Sequence, residues 1–184
     1  MSHEKKVTLR NATVKDRRMV YEWLVQSDCT PALFGWPLYS DSPALSWDEF
    51  CDDYKLYFFD GTFPRKGRCY IIMVEGMPVG QVNHDIIDPV ERRTQLDIWM
   101  SSESQCGKGY GPEALQILCE RLHKTMRVSE FIMRPSARNT RAVRAFEKAG
   151  FHRVDMSSDE QERLYGPGDC SDSIVMIKGK YGDE

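Results

Sequence analysis

No stretch of 18 consecutive apolar residues occurs in this 184-residue chain, and Met1–Arg10 lacks the order of a secretory leader. Both absences predict a cytoplasmic protein. Excess charge of one sign is also lacking. The 25 basic and 28 acidic side chains leave a net charge of −3, so neither nucleic acid nor an anionic membrane is expected as a partner. The six cysteines (29, 51, 69, 106, 119 and 170) include no Cys-x-x-Cys pair, so they read as reduced thiols without metal spacing. The four histidines (3, 84, 123 and 152) are scattered, none paired at helical spacing, and no metal is expected. There is no internal repeat or low-complexity tract. The length predicts one domain over residues 1–184, ample for a real core.

What is present is a glycine-rich stretch, Gln105-Cys106-Gly107-Lys108-Gly109-Tyr110-Gly111. It lies between an alternating apolar run, Thr94 to Met100, and a helical pattern that begins near Pro112. Strand, tight turn and helix start would aim several backbone N–H groups at one point, with the positive end of the helix dipole behind them. Glycine there permits unusual backbone angles and close approach of a phosphate. No Gly-Lys-Ser/Thr closes the stretch as in a Walker loop, and no acidic residue ends a second strand as in a dinucleotide fold. Glycine spacing alone is also met by an ordinary strand-to-helix turn. Cys106 beside a helix start is either an activated thiol or a small residue that fits the turn.

Taken in order, Lys5–Ala12 alternates as a first strand, and Thr13 with Asp16 caps a helix carrying Met19, Val20, Trp23 and Leu24 on one face. Leu33–Pro43 reads as an aromatic loop with Phe34, Trp36, Leu38 and Tyr39, either a binding wall or a core plug. Ser46 and Glu49 form a capping box for a second helix through about Phe58. Arg68–Glu75 and Val79–Asp85 form a hairpin, and Thr94–Met100 adds a further antiparallel strand. Pro112–Met126 is a helix with an Ala114, Leu115, Leu118, Cys119, Leu122 stripe. Ser129–Met133 should be parallel to the strand before the crossover. Arg138–Ala149 is a second crossover helix closed by Gly150. Phe151–Val154 and Ile174–Lys178 are the last strands, with Asp155–Gly168 a polar loop between them. This predicts an α+β (mixed α/β) fold with a central twisted mixed sheet of six to seven strands flanked by four helices, in the order β-α-α-β-β-β-α-β-α-β-β.

Two carboxylates are candidates for proton transfer. Asp97 shares a strand face with Trp99 just before the turn, and a carboxylate on a central strand is costly without a partner. A salt bridge to Arg92 or Arg68 would also account for it. Glu103, in the loop entering the turn, is the second candidate. Asp85, Glu22 and the acidic turn Asp48–Asp53 could line a cleft for a cation or lie on the surface.

The second half resembles a known family. The glycine turn, followed by Asn139-Thr140-Arg141-Ala142-Val143-Arg144-Ala145-Phe146-Glu147-Lys148-Ala149-Gly150-Phe151, is similar to the GNAT superfamily of acyl-CoA-dependent N-acetyltransferases. Val7-Thr8-Leu9-Arg10, Tyr21-Glu22-Trp23-Leu24 and the glycine turn resemble its aminoglycoside 6′-N-acetyltransferase branch. The resemblance implies acetyl-CoA as cosubstrate and a small-molecule or peptide amine as acceptor, attacking the thioester directly. It implies pairing of Ile98, Trp99 and Met100 with the pantetheine arm, pyrophosphate held by the amides of Cys106, Gly107, Lys108, Gly109, Tyr110 and Gly111, and further cofactor contacts from Gln105, Asn139, Ala142 and Lys148. Trp36, Tyr39 and Asp85 would then face the acceptor. Three departures stand out. The usual Gln/Arg position falls on Cys106, the helix position that often carries an acid tyrosine is Phe146, and Arg134 replaces an aspartate often found after the fifth strand. Acetylation of a hydroxylamine or a protein N-terminus, a non-catalytic acyl-CoA sensor and a plain nucleotide-phosphate binder are the competing expectations. Oligomeric state stays open, a homodimer included.

Overall fold

Seven short segments build the sheet, the first and fourth alternating in burial and the second, third and fifth buried almost throughout. These are β1 (Val7–Asn11), β2 (Arg68–Val74), β3 (Met77–His84), β4 (Arg93–Met100), β5 (Glu130–Met133), β6 (His152–Val154) and β7 (Val175–Lys178). The computed structural model describes residues 7–34, 45–166 and 172–179. The strands lie in the order β1-β2-β3-β4-β5-β7-β6. β1 to β4 are antiparallel neighbours, β4 and β5 are parallel, and β7 runs antiparallel to both β5 and β6. The parallel pair is joined through a helix, as a crossover requires.

Helices cover both faces. On one side lie α1 (Arg17–Val25), α2 (Thr30–Phe34), α3 (Trp47–Asp53) and α4 (Tyr57–Asp60). Here Val20, Tyr21, Leu24, Phe50, Phe58 and Phe59 pack on Cys69, Ile71 and Trp99. On the other lie α5 (Tyr110–Met126) and α6 (Thr140–Lys148), whose Leu115, Leu118, Leu122 and Phe146 pack on Ile72, Val82, Leu96 and Phe131. The five-residue stripe expected on α5 is buried in full. Among the described residues no helix is long and apolar enough to cross a membrane.

Three local expectations are corrected. The segment read as a polar loop contains α7 (Ser158–Tyr165), capped by the Ser157 side chain, which accepts from Glu160 N at 3.2 Å. Only Gln161 of that helix is buried, so no apolar stripe announces it. The second helix does not run through Phe58: Tyr54 leaves helical geometry (φ −99°, ψ 76°), and its ring stacks on Phe50 at 4.9 Å before α4 starts. Leu33 and Phe34, taken as loop, end α2. Trp36, Leu38 and Tyr39 fall outside the described residues.

Candidate active site

The sheet opens between β4 and β5. Their parallel ladder joins Arg93, Thr94 and Gln95 to Glu130, Phe131 and Ile132. β4 runs on to Met100, paired with β3 from Leu96 through Met100. Among the described residues no strand pairs with the other edge of β4 beyond Gln95. A strand edge of that kind can receive an extended ligand.

Beyond β4 the chain makes a 3-10 turn, Glu103–Gln105, and then the glycine turn that caps α5. Gly107 (φ +74°) and Gly109 (φ +86°) are left-handed, and a Cβ on either would meet no protein atom within 4 Å. Backbone conformation therefore demands glycine there, and the space above the turn is open. Tyr110 and Gly111, whose N–H groups open the first helical turn, line that space.

Two cavities meet at the split. The first, about 310 Å³, lies between Ile98–Met100, the glycine turn, Cys29, Ala32 and Leu33 beside and on α2, and α6. The second, about 560 Å³, is lined by Asp53, Tyr54 and Phe58 from the helical face, Asp85, Gln95 and Asp97 from the sheet, and Arg134 and Pro135 after β5. Leu33, Ile98, Trp99, Asn139, Ala142 and Phe146 line both. Asp97 pairs in register with Asn83, so the two side chains share a face of the sheet with Trp99. The Trp99 indole donates to Val20 O at 3.3 Å and meets the Tyr54 ring edge-on at 5.6 Å, which fixes the floor of the second cavity.

Polar bridges cross the first cavity. Asn139 caps α6: its Oδ1 accepts from Ala142 N at 3.1 Å while its Nδ2 donates to Ala32 O at 2.8 Å. Arg141 clamps Glu103 with both terminal guanidinium nitrogens, Nη2 at 2.7 Å, and this hydrogen bonding holds the Glu103 carboxyl below its usual range. Cys29 Sγ lies 3.6 Å from Cys106 Sγ, and burial pushes the Cys29 thiol up to about 12.

Of the residues named from sequence, Ile98, Trp99, Met100, Gln105, Cys106, Gly107, Gly109, Tyr110, Gly111, Asn139, Ala142 and Lys148 line the first cavity, and Asp97 and Asp85 the second. Lys108 lines neither; its Nζ reaches Gln105 Oε1 at 3.5 Å and lies over the Tyr110 ring. Glu103 also lines neither cavity, its carboxylate being taken up by Arg141. The sequence reading missed Cys29, Ala32 and Arg141, which converge from distant segments. It also left Asp53 undecided between cleft and surface.

The acetyltransferase (GNAT) domain model matches residues 6–152. The chain belongs to the GNAT acetyltransferase family. It is 31% identical over 159 residues to aminoglycoside N(6′)-acetyltransferase type 1 of Klebsiella pneumoniae, spanning 80% of this chain and 74% of the relative. Among solved structures, AAC(6′)-Ib in complex with paromomycin and acetyl-CoA superposes with a TM-score of 0.72 at 23% identity, covering 95% of this chain and 93% of that one. Spermidine N-acetyltransferase from Vibrio cholerae, in complex with CoA and spermine, gives a TM-score of 0.71 at 17% identity, covering 95% and 96%. Both likenesses extend the GNAT fold across nearly the whole chain.

Proposed function

We propose that this GNAT acetyltransferase moves the acetyl group of acetyl-CoA to a primary amine of a small cationic acceptor, of the aminoglycoside kind. The observation that carries this reading is the meeting of the two cavities at the opened edge of β4, one lined by the glycine turn and the other by three aspartates. Acetyl-CoA supplies an activated acyl carbon; everything else falls to the chain. Backbone groups of Ile98, Trp99 and Met100 hold the pantetheine arm as an added strand. The amides from Cys106 to Gly111 hold the pyrophosphate, with no protein atom in the way at Gly107 and Gly109. Asn139, Ala142 and Lys148 close the opposite wall.

The acceptor enters the second cavity as an ammonium, drawn by Asp53, Asp85 and Asp97. An alkyl ammonium has a pKa of about 10, and only the neutral amine attacks. Asp97 takes that proton directly or through one water. The amine nitrogen then bonds to the thioester carbon, the C–S bond breaks, and the sulfur leaves as thiolate. Phe146 has no proton to give. A thiol of pKa about 8.5 needs little help in leaving, and among the described residues Tyr110 has the only phenol lining the first cavity. Glu103 takes no part, being committed to Arg141.

Polyamines are the second acceptor class, favoured because aspartates facing a cavity suit any oligocation. A thiol-release assay with acetyl-CoA tests both against kanamycin-type sugars, spermidine and N-terminal peptides. Release with one cationic class alone is the expected result. Release only with peptides would overturn the acceptor assignment, and binding without release across the panel would favour the sensor.

A further inference from the structure

Cys29 and Cys106 are 77 positions apart in sequence, yet their sulfurs lie 3.6 Å apart beside the glycine turn. A Glu103 carboxylate oxygen completes a group of three donor atoms, all within 4.8 Å of one another. Cysteines that merely fill space have no reason to converge with a carboxylate at the rim of a ligand cleft. A disulfide would need these sulfurs at about 2.05 Å. Two thiolates on one tetrahedral ion, each about 2.3 Å from it, stand about 3.8 Å apart. The observed separation is close to that bite.

We propose that Cys29, Cys106 and Glu103 form a binding site for one thiophilic divalent ion, of the zinc or cadmium class, occupied in competition with acetyl-CoA. Binding forms two metal–sulfur bonds, and the two S–H protons leave to solvent. One dication replaces two protons, so the net charge beside the Arg141 guanidinium does not change. Arg141 therefore sets no electrostatic barrier. Glu103 supplies an oxygen donor while its second oxygen keeps the guanidinium in place. Competition follows from position: both cysteines line the first cavity, and Cys106 opens the turn. That part of the inference rests on the acetyl-CoA reading of the cavity; the donor set does not.

The test is titration of the reduced full-length protein with cadmium chloride, followed by the ultraviolet thiolate-to-cadmium band, with and without acetyl-CoA. One equivalent should saturate the band. Cys106→Ser should halve it per bound ion and raise the midpoint about tenfold or more. Cys29→Ser should do the same, while Cys51→Ser leaves it unchanged. Saturating acetyl-CoA should move the wild-type midpoint upward. Absence of the band in wild type, or an unchanged band in Cys106→Ser, overturns the site. Cys106→Ser carries the test alone if the buried Cys29→Ser fails to fold. An acetyl-CoA-insensitive midpoint overturns the competition where calorimetry shows that acetyl-CoA binds. If acetyl-CoA gives no heat on its own, the reading of the cleft has failed and the band alone decides the metal site.

Discussion

In the reaction proposed above, Asp97 is the base. Its neighbours on the strand face are Asn83 and Trp99, both buried, and it lines the second cavity. Asp97→Asn keeps the shape and removes the base. We expect kcat/KM to fall by about 10²–10⁴-fold, with acetyl-CoA affinity unchanged, read by steady-state kinetics and calorimetry on the same preparation. Equal losses in both would mean that the side chain holds the strand and not the proton. The placement of Asp97 on one strand face with Trp99 was legible from alternation along four residues. Cys29 against Cys106 was not, because nothing local to either residue signals a partner 77 positions away. The Glu103–Arg141 clamp was hidden for the same reason: its halves belong to the turn and to α6.

At the scale of elements, the opened edge depends on how closely β3 and β4 approach. A Cβ on Gly80 would lie 2.7 Å from Trp99 O and 3.0 Å from Met100 Cα, both backbone atoms. Gly80→Ala must push β4 toward the cleft. The expected outcome is a several-fold weaker acetyl-CoA Kd by calorimetry together with a lower Tm; an unchanged Kd would show that β4 does not carry the pantetheine arm. Asn139 joins two elements, capping α6 and bonding α2. Asn139→Ala should cost about 1 kcal/mol from the cap alone, measured by urea denaturation. Elements with an apolar period were readable, as α5 and its buried stripe illustrate. α7 was not read, since its face is polar, although Ser157 and Glu160 gave the capping signature. α3 was read too long because the chain turns at Tyr54, whose carbonyl accepts from Arg17 Nη2 at 2.7 Å and whose ring meets Trp99, both tertiary contacts.

For the whole molecule, one buried histidine sets a pH limit on stability. His84 is fully enclosed on β3, with Nε2 2.8 Å from Pro64 O, which places its proton on Nε2. Burial pushes it down to about 4 in the folded state, against about 6.5 when unfolded. Between those values the unfolded chain binds more protons. Its contribution is therefore full above about pH 6.5 and is lost as pH falls toward 4, by roughly 3 kcal/mol. Urea midpoints should drop across that interval and flatten in His84→Gln; a flat wild-type profile would contradict this. The assembled molecule presents two cavities that meet at the opened edge of β4, which the proposed function assigns to cosubstrate and acceptor. Calorimetric titration of the full-length protein with acetyl-CoA tests that account most directly. We predict one site of micromolar affinity, weakened at least tenfold, in rough terms, by Gly109→Val, which forces a β-branched residue into a left-handed turn. No heat with the wild-type protein, or equal heat with the variant, would contradict it.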